Sequence, residues 1–584
     1  MTHPGSRRSA GVGTVNRIHA RLAARARIET AFIFYPDPRG FGPVERGKAL
    51  MAGDFLFAGT EISAPETDPD AAPWRVEVPD AGFSDAVQGF DWLEDLAALG
   101  DKPARLRAQG WMRDWIDLYG RGGGPGWTPL LTGRRLLRCI NHSQFLMRKA
   151  SAEDSAAIST SLGRQVLFLG RRWHKVPPGL PRVEALTGLL CAALSLHGAE
   201  GFVAPAQTGL ESAIADLVTA DGTLASRNPE DLLKVFTLLI WALTALEEAD
   251  SPALPGHLAA IRAIAPVLRT LRHSDGTLAR FQGGERGVNG RLDRMLAASG
   301  VSLPSPQGRA MGFARLGAGR VSVILDAAPP ARGREGAHAH ASTLAMEITS
   351  GRRPLVVSCG SGEGMSADWQ RAGRSTPSHS TLILDGKSSS QFATRSDGFA
   401  HMPRHVQAEI TTSPEGTRLE ASHDGYVRDY GLTHARLLDL SFDGRAMGGE
   451  DMLLALADRD KKRFDRAGGQ AADLGIPYKI RFHLHPEVEA APDADDGALR
   501  LTLPSGETWL FRYDGQAGQE VEASVFLEKG RIRPRSCKQL VLSGRAMGYA
   551  TRIRWSFAKA PNMPVATRDL AGIEADDLKM PELF

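Results

Sequence analysis

The hydrophobic pattern changes period once along the chain, and the change divides it in two. From residue 90 to about 300, apolar side chains recur at three- and four-residue spacing, as one buried helical face requires. Phe90, Leu93, Leu96 and Ala97 form one stripe, and Leu106, Trp111, Trp115 and Leu118 form the next. Further helices are predicted through Leu136, Ile140, Ser143, Phe145 and Leu146, through Ile158, Leu162, Gln165, Val166 and Leu169, and through Leu186, Leu189, Leu190, Ala193 and Leu196. The clearest start signal is Asn228-Pro229-Glu230-Asp231, with a capping Asn, proline at the first helical position and two acids in the first turn. The helix it opens is apolar nearly all round (Val235, Phe236, Leu238, Leu239, Ile240, Trp241, Leu243), so it should be buried on several sides. Ile261, Ile264, Val267 and Leu268, then Leu292, Met295 and Leu296, close this half. Seven or more helices with short connections predict an antiparallel toroid or solenoid rather than one bundle.

After Ser305-Pro306 the period falls to two. Val321–Leu325, Leu355–Val357, Thr381–Leu384, Val406–Ile410, Tyr478–Leu484, Thr508–Tyr513 and Ile553–Phe557 read as short strands ended by Gly, Asp or Pro. Strands of this kind with frequent turns predict an antiparallel sandwich. The expected fold is therefore α+β and multidomain, an N-terminal α/α toroid of antiparallel helices followed by a C-terminal antiparallel β-sandwich. Residues 1–85 are expected to be a lead-in and extended segment, 86–305 the toroid, 306–560 the sandwich and 561–584 a tail. Within the lead-in, the Arg-rich first thirty residues read as a solvated helix, 53–57 as a short strand, and Trp74 as part of an extended segment.

Composition narrows the classes. The chain has 584 residues, enough for two or more domains with ample core, and a formal charge of +3 that favours no charged partner. The basic N-terminus has no interleaved aromatics, so no nucleic-acid role is expected. Cys139, Cys191, Cys359 and Cys537 are far apart and form no Cys-x-x-Cys pair, which predicts reduced, buried thiols. No apolar run approaches the roughly 18 residues of a membrane span, and none follows the N-terminal arginines as a signal peptide requires. A cytoplasmic protein without a membrane partner is expected, and a homo-oligomer is compatible with the sequence.

Candidate chemistry concentrates where the period changes. Gly336-Ala337-His338-Ala339-His340 precedes an alternating apolar run, and an extended backbone would turn both imidazoles to one side. A third histidine, His379, stands at the start of another strand in Arg374-Ser375-Thr376-Pro377-Ser378-His379. Helices followed by strands, with Gly-x-His-x-His at the junction, resemble the heparinase II/III family of polysaccharide lyases. Phe90-Asp91-Trp92-Leu93 with Trp111 and Trp115, Asp221-Gly222 before a long helix, and His423-Asp424-Gly425-Tyr426 with His434 and Arg436 strengthen the resemblance.

The resemblance implies a carbon–oxygen lyase that acts by β-elimination on an anionic, uronate-containing saccharide in a cleft between toroid and sandwich. That reaction needs a base for a weakly acidic proton, an acid for the leaving oxygen, and donors that neutralise the carboxylate. His338 resembles the family's cleft histidine, His340 the first metal ligand and His379 the second. The acidic ligand is replaced by Ser358-Cys359, so one divalent ion, zinc or calcium, would draw on His340, His379 and Cys359. The family's toroid Asn and Tyr have no counterpart. Arg182 and Arg227 stand in their places. Catalytic candidates are His338, His379, Arg374 and Tyr426, and substrate-binding candidates are Arg182, Arg227, Arg280 and His423. Asn141-His142, the only Asn-His pair, lies one helix too early and reads as helix surface. A family member that binds an acidic glycan without cleaving it, or a hydrolase or transferase on an anionic glycoconjugate, is the alternative.

Overall fold

A computed structural model describes residues 5–65, 68, 70–302, 308–394, 396–469, 475–493, 497–515 and 517–561. Residues 562–584 of the expected tail lie outside the described residues. The chain forms two compact units, one of residues 1–222 and 234–263, the other of residues 223–233 and 264–584. The first is the α/α toroid and the second carries the β-sandwich. Residues 1–85 thus join the helical unit, and residues 264–302 join the sandwich unit.

The toroid's helices begin where their caps dictate. Asp80, Asp101, Thr128 and Ser151 each accept a hydrogen bond from the backbone three residues on, ahead of Ala81–Gln88, Lys102–Tyr119, Pro129–Asn141 and Ala152–Arg172. Pro129–Asn141 and Leu180–Ser195 approach closely because small residues line their contact. A Cβ on Gly133 would stand 2.5 Å from Ala185 Cα, and one on Gly188 2.2 Å from the Gly133 carbonyl oxygen. The helix expected through Leu146 is broken at His142, and Ser143–Met147 restarts it. The helix Val203–Leu217 gave no sequence signal because its buried face includes Ala206, Gly209 and Ala213. Trp74 sits in a turn rather than an extended segment, its Nε1 donating to Asp114 at 2.6 Å.

One cation organises this core. Arg135 is fully buried and donates to the Gln88 and Gly126 carbonyls at 2.8 and 2.7 Å, to Gln165 Oε1 at 3.0 Å and to Thr132 Oγ1 at 3.1 Å. Its guanidinium lies 4.6 Å from the Trp115 ring. Burial lowers its pKa to about 9, so it remains charged at neutral pH.

Every named strand pairing in the sandwich is antiparallel. One sheet of eight strands runs Val406–Ser413, Gly416–Tyr426, Leu432–Ser441, Ala446–Leu454, Ala550–Lys559, Thr508–Tyr513, Leu499–Thr502, Glu489–Pro492. The facing nine-stranded sheet runs Gly518–Phe526, Arg535–Ala546, Ile476–Leu484, Arg353–Val357, Met346–Ser350, Val321–Asp326, Phe313–Ala318, Arg309–Ala310, with Leu382–Leu384 also paired to Ile476–Leu484. Phe482, Phe511, Trp555 and Phe557 pack tilted or edge to face in the core at 4.8–5.8 Å. In Leu432–Ser441 burial alternates strictly, so Leu432, Leu438 and Leu440 point inward together with His434 and Arg436. That register carries polar groups into an apolar core.

Arg135→Ala should lower the unfolding free energy by roughly 3–5 kcal/mol, because it removes the aliphatic stem and strands two buried carbonyls. Urea unfolding monitored by tryptophan fluorescence checks this. Arg135→Lys should recover only a minority of the loss, since one ammonium cannot span the four acceptors.

Candidate functional site: a buried histidine and carboxylate network

The paired histidines do not share a strand face. Gly333–His338 is a 3-10 turn and the strand begins only at Met346, so His338 is exposed while His340 is buried. The loop between them is pinned from several sides. Gln282 Oε1 accepts from His340 N at 3.0 Å, and Gln282 Nε2 donates to Asp326 Oδ2 at 2.8 Å. Ser342 Oγ donates to the same oxygen at 2.7 Å. Arg374 Nε donates to the Ala339 carbonyl at 2.9 Å, and its Nη2 to the Gly336 and Asp397 carbonyls at 3.3 and 2.5 Å.

Beneath the loop, His340 Nδ1 lies 3.3 Å from His379 Nε2, and His379 Nδ1 lies 3.1 Å from Ser358 Oγ. Burial, then the neighbouring charges of His379, Arg374 and His338, holds His340 well below the ordinary imidazole range. Burial also brings His379 down to about 3, so the pair is neutral. Ser358 N donates to Glu347 Oε1 at 3.0 Å, and Glu347 Oε2 accepts from Arg280 N at 3.0 Å. The fold brings His340 and His379, two of the three expected ligands, together beside Ser358. It does not bring Cys359 to them.

Cys359 is the correction to the metal set. Its Sγ lies 3.5 Å from His483 Nδ1, on a ring whose Nε2 donates to the Pro377 carbonyl at 2.8 Å. Burial pushes the thiol up to about 12, far from a thiolate ligand. Among the described residues no group of three or more His, Cys, Asp or Glu is arranged to hold a metal ion. Two neutral imidazoles beside a serine hydroxyl do not fit zinc or calcium, which need three or more anionic or imidazole donors or a cage of oxygens.

A second polar chain enters the sandwich core from the facing sheet. Gly425 N donates to His423 Nδ1 at 3.0 Å, so the proton of a neutral His423 sits on Nε2, 3.2 Å from His434 Nδ1. His434 then carries its own proton on Nε2 and donates to Asp451 Oδ1 at 2.7 Å. Asp451 also accepts from Arg436 Nε and Nη2 at 2.8 and 3.1 Å and from Trp555 Nε1 at 2.9 Å. Burial alone would raise its pKa, but Arg436 and His434 outweigh burial and hold the carboxyl below its usual range. Arg436 Nη1 reaches across to the Leu344 and Ser380 carbonyls at 2.8 and 2.9 Å.

The remaining candidates are structural. Tyr426 is buried and donates to the Leu382 carbonyl at 2.9 Å, and burial raises its pKa, so it is not the catalytic phenol. His423 is buried within the network just described. Arg227 donates to the carbonyls of Met311, Gly312, Ala328 and Pro329 at 2.7–3.2 Å and pairs with Asp326. Arg280 pairs with Glu285 at 2.8 Å, reaches the Ser358 and Leu527 carbonyls at 3.1 and 2.6 Å, and stacks 4.0 Å from the Phe526 ring. Arg182 caps the Val176 carbonyl at 2.8 Å within the helical unit. Arg374 clamps its loop. All four cations hydrogen-bond within their own fold. Asn141 and His142 are buried, contrary to the helix-surface reading. Sequence reasoning missed Gln282, Asp326, Glu347 and Asp451. Asp326 closing Val-Ser-Val-Ile-Leu-Asp was the available signal.

Residues 301–556 match the family model described as Heparinase II/III-like, C-terminal. Over that stretch the chain is similar to the heparinase II/III-like family. It is similar to FtsZ-localized protein C of Caulobacter vibrioides (strain NA1000 / CB15N), with 28% identity over 533 residues that cover 90% of this chain and 89% of that protein. Among solved structures, heparinase III aligns over 92% of this chain and 88% of its own, with TM-score 0.65 and 13% identity. A mutant heparan sulfate lyase from Pedobacter heparinus aligns over 94% and 88%, with TM-score 0.56 and 13% identity. At that identity they establish the heparinase-like fold and nothing of the reaction.

Two predictions test the network. Asp451→Asn leaves Arg436 charged and uncompensated, and should cost roughly 3–5 kcal/mol in urea unfolding, while adding Arg436→Met should restore most of the loss. Acid should destabilise the fold in a defined window. His379, His483 and His485 are held to about 3, 4 and 3, chiefly by burial, so the unfolded chain takes up protons below about 6.5 that the native chain refuses. Stability is then full above that pH and falls by about 1.4 kcal/mol per unit per histidine as pH drops toward the folded values. The urea midpoint measured from pH 7.5 to 5 should decline steeply.

Proposed function

We propose that this chain is a binding and localisation protein on a lyase-like scaffold, without β-elimination activity of its own. The observation that carries the reading is the fate of the candidate groups. Tyr426, His379, Arg227 and Arg280 are buried and committed to internal partners, and His338 is the exposed member of the set. A single exposed imidazole supplies a base or an acid, whereas elimination needs both together with donors for the carboxylate. The similarity to a protein named for its localisation to FtsZ supports a role at the same assembly.

The second reading is an anionic-saccharide lyase or binder that uses His338, supported by the heparinase-like fold and by the exposure of that side chain. A panel of heparan sulfate, chondroitin sulfate, hyaluronan and alginate, followed by the ultraviolet absorbance of the unsaturated uronate product, separates the two. No absorbance above the blank is expected, together with co-sedimentation of the protein with polymerised FtsZ. Product formation that His338→Ala abolishes would establish the lyase reading instead.

A further inference from the structure

Within the helical unit, residues 31–42 run across four helical segments. Ile33 N donates to the Ser195 carbonyl and His197 N to the Ala31 carbonyl, both at 2.9 Å, at the end of Leu180–Ser195. Gln144, on Ser143–Met147, donates to the Tyr35 and Pro36 carbonyls at 3.3 and 3.2 Å. Gly42 N donates to the Glu94 carbonyl at 3.1 Å, on Asp91–Leu99. Arg39 reaches the Trp241 carbonyl at 3.0 Å and Glu248 at 2.5 Å, on Pro229–Glu248. The route is tailored to small residues: Gly40 has φ +76°, and a Cβ there would stand 2.6 Å from the Trp241 ring. Even so, Ile33, Tyr35 and Phe41 lie outward, exposed to 55%, 47% and 43%, while Phe32 and Phe34 are half-buried and Pro36 is buried. Hydrogen bonds and one ion pair hold it alongside this limited apolar contact.

What it covers is polar. The Phe41 ring lies 5.4 Å from the His142 ring at the helix break, and His142 is completely buried. On either side of it, the Asn141 amide nitrogen and oxygen and the Ser143 hydroxyl are buried with no hydrogen-bond partner among the described residues. The Ser195 hydroxyl, beside the carbonyl that Ile33 engages, is in the same condition. Each such group costs roughly 1–3 kcal/mol when left unmade, so a run of them under one segment is not a device for stability.

We propose that residues 31–42 are a strap that opens and closes over the buried polar groups of Asn141, His142, Ser143 and Ser195, and that the Arg39–Glu248 pair is its latch. Closed, the strap seals these groups in the way a self-ligand would. Opened by breaking one ion pair and a few backbone bonds, it presents an amide, an imidazole and two hydroxyls to an incoming polar group, while the helices beneath keep their own packing.

Hydrogen exchange and histidine modification on the full chain test this. In the wild type, the amides of Ile33 and Gly42 should exchange at least about a hundredfold faster than those of Leu189 and Leu190, by local opening that is insensitive to denaturant. In Arg39→Gln and separately in Gly40→Ala, carbethoxylation of His142 by diethyl pyrocarbonate should accelerate about tenfold relative to the exposed His197, with Leu189 and Leu190 exchange unchanged. If Ile33 and Gly42 exchange only with global unfolding in the wild type, the strap is a fixed part of the core and the proposal fails, whether or not either variant folds. It fails equally if His142 stays as protected in both folded variants as in the wild type.

Discussion

The sandwich depends on one buried ion pair. Asp451 on one sheet receives four donors, and its principal partner, Arg436, spends its remaining nitrogen on carbonyls that precede strands of the other sheet. An ion pair in this setting offers little net stability over an apolar substitute, because desolvation offsets most of the attraction. What it supplies is register. Arg436 meets both the carboxylate and the Leu344 and Ser380 carbonyls only if Leu432–Ser441 is in this one alignment, and a slip by one residue would turn it to solvent. The same contact fixes the backbone beside His340 and His379.

A neutral histidine network follows from that arrangement. With Arg436 and Arg280 already inside, further positive charge is opposed by both burial and repulsion, so His340, His379, His423 and His434 are held uncharged. Asp451 stays charged because Arg436, His434 and Trp555 all donate to it. The two His–His contacts, at 3.3 and 3.2 Å, are therefore hydrogen bonds between neutral rings. Such contacts specify a core without preparing it for proton transfer.

The architecture was legible because it rests on periodicity. The change from a 3.6-residue to a two-residue pattern, and the cap at Asn228, whose Oδ1 accepts from Glu230 N and Asp231 N at 2.9 and 3.1 Å, survive in the structure where they were read. The site was less legible because sequence does not state where a polar group's partners lie. His338 and His340 are two apart, yet a 3-10 turn sends one to solvent and the other inward. Arg227 and Arg280 look like anion clamps as isolated cations, and only the fold reveals that four carbonyls and Asp326 take the first while Glu285 and Phe526 take the second. Tyr426 has the chemistry of an acid and the position of a core residue. Asp451 showed no sequence signal because an aspartate in a strand ordinarily faces water, and its inward direction follows from register alone.

The resulting molecule keeps the heparinase-like frame while its polar interior is closed upon itself. Elimination requires groups whose hydrogen-bonding capacity is unspent in the resting state, since a donor already satisfied by a carbonyl must break that bond before it stabilises a developing charge. In the sandwich unit such capacity has been withdrawn from Tyr426 and from Arg227, Arg280 and Arg374. In the helical unit the reverse holds, for Asn141, Ser143 and Ser195 retain theirs. Unspent polar groups mark where a folded chain is ready to receive something. By that measure the helical unit, with its covered polar groups, has more left to bind with than the histidine pair that first drew notice.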